Sequence, residues 1–174
     1  STFFVRLAAA LEADGHRVFK VNFNAGDWLY WGDRTAWNYR GAMADLPDFL
    51  DQKYREFVIT DQILFGDCRP VHRPAVAQAK ACGVRTHVYE EGYFRPFYIT
   101  LEKGGVNAFS SMPIDAKYYR EQPLPELKTP TPWKPSSFNR AAHAMLYYAA
   151  GWFGRHRYRG YRHHKSFSPW YEMR

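Results

Sequence analysis

Cysteine is almost absent. Cys68 and Cys82 are the two in 174 residues, and they form neither a Cys-x-x-Cys pair nor a ladder of spacings. A disulfide framework is thereby excluded, and two free thiols in a reducing compartment are expected. Cys68 and His72 make a metal site only with ligands brought from elsewhere, so no metal is expected. Long hydrophobic runs are missing too. The most apolar stretch, 141–153, is broken by His143 and is too short to span a bilayer. No signal-peptide pattern and no internal repeat is visible. An initiator methionine is also lacking. The chain opens on Ser1-Thr2-Phe3-Phe4, already inside an apolar pattern, and closes within a basic run, so it reads as a piece of a longer protein. Acidic residues become scarce at the C-terminus. From Arg155 to Arg174 five arginines and one lysine face one glutamate, leaving +2 of the formal +7 to the first 154 residues.

What is present is ordinary for a soluble domain, apart from aromatic residues at 18%. Phe4, Leu7, Ala8 and Leu11 recur at helical spacing, with Gly15 as a stop signal. A strand is expected over 17–23, a long loop over 26–41 and a helix from about Leu46 to Arg55. A second strand follows at 57–63, a helix at 71–82 and a third strand at 84–89. This alternation, with long crossovers, predicts an α/β fold with a parallel sheet and flanking helices. From 104 to 135 glycine and proline break the pattern. Ser136 or Ser137 then opens an apolar helix reaching Phe153. The expected organisation is a domain at 1–112, a proline-rich linker at 113–135, and a helix with a basic aromatic tail at 136–174.

Ligands of open parallel sheets bind beyond the carboxyl ends of the strands. The first predicted strand runs out into Asn22, Asn24, Gly26 and Asp27. The second ends at Asp61 and leads to Gly66, Asp67, Arg69 and His72. The third ends at Glu90, Glu91, Gly92 and Arg95. If the three strands lie side by side, these polar groups share one cleft. Adjacent glutamates gain nothing from packing, but a cleft with water or ligand solvates them. Alternation along a strand sends Glu90 and Glu91 to opposite sides, one facing the cleft and one bracing the loop through Arg95. Like charges raise one carboxyl pKa and an arginine lowers the other, so one glutamate suits general base chemistry. Asp67 suits a second acid or a nucleophile. Each motif also has a plainer reading. Glu-Glu-Gly reads as a solvated turn, Asn22–Asp27 as an Asx-rich turn, and Asp67 as a helix cap.

Four ordered segments go further: "KVNFNAGDWLYW", "DQILFGDCRPVH", "HVYEEGYFRPFYITLEKGGVNAFSSMP" and "SSFNRAAHAMLYYAAG" with "YRGYRHHK". Together they resemble the capsule polysaccharide synthesis family of bacterial β-Kdo transferases, in particular the type that starts the oligo-Kdo linker on a phosphatidylglycerol anchor. The resemblance implies Rossmann-like halves of a GT-B glycosyltransferase, of which this chain is the N-terminal, acceptor-side half. It implies CMP-β-Kdo as donor, no cofactor, retention of configuration, and a lipid acceptor at the cytoplasmic face of the inner membrane. Capsule assembly proteins are implied partners. The matching positions are Asn22, Asn24, Gly26, Asp27, Asp61, Gly66, Asp67, Arg69, Pro70, His72, Glu90, Glu91, Gly92, Arg95, Pro96, Thr100, Glu102, Asn107 and Ser110. Glu90 or Glu91 is expected in acid/base work with Asp67 near it. Arg69, His72 and Arg95 are expected to hold the acidic sugar or the acceptor phosphate. The family's opening strand and its Lys-x-His-Pro motif are not found here, so the chain alone is expected to be inactive.

The basic aromatic tail suits an anionic membrane surface. Nucleic acid fits the same composition and is the less favoured partner. A non-catalytic carbohydrate- or lipid-binding domain is the alternative to an enzyme.

Overall fold

The structure is a computed structural model and describes residues 2–92, 97–123, 126 and 136–161. Two compact units divide the chain: Ser1–Met43 with Lys134–Arg174, and Ala44–Trp133. The architecture is mixed α/β, with parallel strand pairing and flanking helices in each unit.

The first unit begins with helix α1 (Thr2–Ala13), followed by strand β1 (Lys20–Asn22). The stretch expected as a loop at 26–41 instead holds helix α2 (Ala25–Trp31) and strand β2 (Ala36–Asn38). β1 and β2 pair in parallel across α2, a small crossover unit. Gly, Trp and Tyr masked that helix in the sequence, because its stability comes from a cap and a packed neighbour rather than from propensity. The neighbour is α6 (Ser137–Phe153), capped by Ser136 as expected, whose Oγ accepts from the Asn139 amide at 3.2 Å. Gly26 lets the two helices approach closely. A Cβ there would lie 2.8 Å from the Tyr147 carbonyl oxygen. The surplus of aromatics is spent on this core. Phe23, Tyr39 and Tyr161 cluster with ring centroids 5.1–6.2 Å apart.

The second unit carries helix α3 (Leu46–Phe57), strand β3 (Asp61–Phe65), helix α4 (His72–Ala81), strand β4 (Arg85–Glu91), strand β5 (Ile99–Lys103) and a short helix α5 (Ala116–Glu121). β3 and β4 are parallel, and β5 adds on antiparallel to β4. Register places Gln62, Leu64, Thr86, Val88 and Glu90 on one face with Thr100 and Glu102. That face meets the helices. Gln62 accepts from the Tyr54 hydroxyl at 2.7 Å and donates to the Ala75 carbonyl and to Thr86. Leu46, Leu50, Ala75, Ala79 and Val88 are buried.

Two sheet expectations are corrected. The three predicted strands do not form one parallel sheet: β1 pairs with β2, while β3 and β4 belong to a separate sheet. The second strand also starts later than expected. Phe57 completes the apolar side of α3, the chain breaks at Val58 in the left-handed region (φ 52°), and β3 opens at Asp61.

Candidate functional site

The carboxyl ends of β3 and β4 gather around Gly66. Its amide donates to the Tyr89 carbonyl at 2.8 Å, locking the two strand ends together. Its carbonyl oxygen lies 2.6 Å from Nδ1 of His72. A carbonyl only accepts, so Nδ1 carries the proton and Nε2 is the acceptor of the neutral ring. Gly66 has φ +71°, which a side chain adopts only with strain, and a Cβ there would stand 3.4 Å from Oε2 of Glu90. The positive φ is what favours glycine here, and the Glu90 carboxylate lies at ordinary contact distance from the turn.

β4 runs through both glutamates, so alternation holds: Glu90 pairs with Thr100 and Glu91 with Ile99, on opposite faces. Glu90 is half-buried, and its Oε1 accepts the Glu91 amide at 2.9 Å. Glu91 is exposed. Arg95 and Pro96 lie outside the described residues, as do 124–125 and 127–135 of the proline-rich stretch and the tail from 162 on.

Asp67 is 6% exposed. Oδ2 accepts the Val106 amide at 2.9 Å and Oδ1 accepts the Cys68 thiol at 3.1 Å. That hydrogen bond, then burial, pushes the Cys68 thiol up from its ordinary pKa, so it acts as a donor. Glu102 is tied to Ser110, whose hydroxyl donates to Oε2 and whose oxygen accepts the Met112 amide at 3.1 Å. Asn107 is exposed in a left-handed conformation, φ 53°. Arg69 is exposed on the β3–α4 turn, its guanidinium 5.9 Å from the Phe65 ring.

The structure therefore brings together Asp67, His72 and Glu90, with Thr100 beside Glu90 in register and Glu102 farther along β5. It does not bring Asp61 there. Asp61 opens β3, about 13 Å from Phe65 at about 3.3 Å per residue. There it accepts Nε and Nη2 of Arg85 at 2.8 and 2.7 Å and lies 2.7 Å from His87 Nε2. The Arg85 hydrogen bond, with His87 helping, holds its carboxyl well below the usual range.

Asn22, Asn24 and Asp27 belong to the other unit and have a local explanation. Asn24 caps α2 by accepting the Asp27 amide at 2.9 Å, and Asp27 accepts the Phe23 amide at 3.0 Å. Tyr147 closes the network: its hydroxyl accepts from Asn24 at 2.7 Å and donates to Asp27 at 3.3 Å. Asn22 donates to Asn38, which also accepts the Tyr158 hydroxyl. Burial lowers the Lys20 pKa against the opposing pull of Asp27, and pushes Tyr161 up to about 12. Two tips converge in one unit, while the first belongs to a capped helix start in the other. Tyr147 and Val106 escaped sequence reading because both act through atoms that only tertiary contact reveals: a hydroxyl 123 residues from Asn24 and a backbone amide. Among the described residues no cluster of His, Cys, Asp and Glu suited to a metal ion occurs.

The family described as capsule polysaccharide biosynthesis protein matches residues 60–174, a span that opens one residue before β3. The chain belongs to this family. It is 46% identical over 174 residues to the Capsule polysaccharide export protein KpsS of Escherichia coli, covering 99% of this chain and 44% of that protein. It is 39% identical over 171 residues to the Capsule polysaccharide modification protein LipB of Neisseria meningitidis serogroup A, covering 94% of this chain and 41% of that one. The chain thus spans less than half the length of these relatives. No solved structure matches.

Proposed function

We propose that this chain is the acceptor-side half of a retaining GT-B glycosyltransferase that transfers β-Kdo from CMP-Kdo to a phosphatidylglycerol-type lipid in capsule biosynthesis. The observation that carries the reading is the convergence of Glu90, His72 and Asp67 at the joined ends of β3 and β4, inside the span that matches the capsule family. This is where an open α/β sheet binds its ligands. A carboxylate there serves as acid or base toward the acceptor hydroxyl, either Glu90 on the helix-covered face or Glu91 on the other. Arg69 leaves the same turn and suits the acidic sugar or the acceptor phosphate, with Arg95 as its expected companion; His72, whose Nδ1–H is taken by the Gly66 carbonyl, meets the same anion through Nε2 when the ring is protonated. The activity belongs to a protein of the relatives' length, and the 174 residues alone do not transfer.

Membrane docking at the inner face fits the same reading. α6 presents Phe138, Met145 and Phe153, exposed at 80%, 71% and 77%, along one side, opposite Tyr147 and Gly151. From Ser136 to Tyr161 there are four arginines and no acidic residue. Apolar side chains beside unopposed arginines complement an anionic lipid surface. Among the described residues no helix is long and apolar enough to cross a membrane. The test is incubation of the protein, at the length of its relatives, with CMP-Kdo and phosphatidylglycerol. Mass spectrometry of the lipid is expected to show a gain of one Kdo, and a folded protein that yields none overturns the reading.

A further inference from the structure

Asp67 has the features of a brace rather than of a reacting group. A nucleophile or general acid needs an oxygen open to the cleft. Asp67 is 6% exposed, and each of its oxygens already accepts a hydrogen bond. One of those bonds reaches far along the chain. Val106 is 1% exposed, and its amide donates to Oδ2 from 39 residues away. The amide belongs to the turn that leaves β5. The fit is close there: a Cβ on Gly105 would lie 3.1 Å from Oδ2 and 2.7 Å from the Phe109 carbonyl oxygen. The next residue, Asn107, holds φ 53°, in the left-handed region that asparagine adopts more readily than other side chains.

We infer that Asp67 is a positioning residue: it pins the turn after β5 to the turn after β3 and so fixes Asn107 beside the site. The inference rests on the proposed transfer reaction only for what Asn107 then contacts. The pin itself is independent of it. A buried carboxylate is a strong acceptor for a backbone amide, and an asparagine Oδ1 of the same shape accepts the same bond less strongly. Alanine cannot accept it.

Amide hydrogen exchange on the 174-residue chain decides the matter. Asp67→Asn is expected to keep Val106 protected to within about tenfold of the parent. Asp67→Ala is expected to lose protection by more than a hundredfold over 104–110, while α3 stays as slow as before. Val106 exchanging equally slowly in Asp67→Ala overturns the pin. Transfer by the longer protein separates brace from chemistry. A brace predicts Asp67→Asn at least tenfold faster than Asp67→Ala, with the parent's pH profile. If Asp67→Asn holds the loop and is nevertheless as inactive as Asp67→Ala, the carboxylate is a reacting group and the inference fails. A parent that transfers nothing defeats the proposed function alone, and exchange still decides the pin.

Discussion

Asp61 shows how a residue's neighbours decide its work. The side chain looked like part of a ligand site because the second strand was expected to end there. It instead closes a clasp with Arg85 and His87 at the strand's entrance. The folded carboxyl is held below its ordinary 3.8, so its contribution is present above that value and is lost as pH falls through the lower, folded one. Asp61→Asn is expected to lower stability at pH 7 by no more than about 1 kcal/mol for so exposed a pair, read as a small fall in melting temperature. The gap to the parent should narrow as pH falls below 3.8, and melts at pH 7 and pH 2.5 check this. Much at this scale was legible. That Glu90 and Glu91 point to opposite faces followed from strand alternation, and a serine cap at 136 or 137 followed from its place before an apolar run. What was not legible depends on partners distant in sequence. The plainer reading of Asn22–Asp27 as a local turn describes their hydrogen bonds better than the ligand-site reading, because Asn24 and Asp27 satisfy each other's surroundings.

At the scale of elements, α3, α4, β4 and α6 follow the hydrophobic pattern closely, since burial on one face writes itself into the sequence. α2 does not. Seven residues rich in tryptophan and tyrosine carry too little helical signal, and the helix stands on its cap and on α6. Asn24→Ala removes an acceptor for the Asp27 amide and a donor to Tyr147 together. We expect a loss of about 1–3 kcal/mol, read as a shift in the urea midpoint with an unchanged slope. A loss below a few tenths would mean that the cap contributes little to α2. β5 also escaped the reading: its alternation is inverted, with apolar Ile99 and Leu101 exposed and polar Thr100 and Glu102 on the helix-side face. The two sheets were read as one because sequence gives the polarity of strands but not which strands are neighbours.

On the scale of the whole molecule, the exposed apolar line of α6 departs from an ordinary soluble surface. Flotation with vesicles of phosphatidylglycerol and phosphatidylcholine tests the docking proposed for it. The chain is expected to float with the anionic vesicles, to stay behind with phosphatidylcholine alone, and to release as salt rises. Met145→Ser with Phe153→Ser removes exposed apolar area without touching the contact with α2, so the bound fraction should fall several-fold while the melting temperature holds. Equal flotation of the double variant would remove α6 from the membrane proposal, and self-association lost in that variant would assign the stripe to a second copy.

The central claim is that a glutamate at the end of β4 carries proton transfer in the reaction. Single-turnover transfer from CMP-Kdo to phosphatidylglycerol by the protein at its relatives' length, compared with Glu90→Gln and Glu91→Gln, tests it most directly. General acid–base catalysis is worth about 10²–10⁴-fold, so at least one variant should slow by about a hundredfold or more while remaining folded. Both variants transferring at the parent's rate would contradict the account.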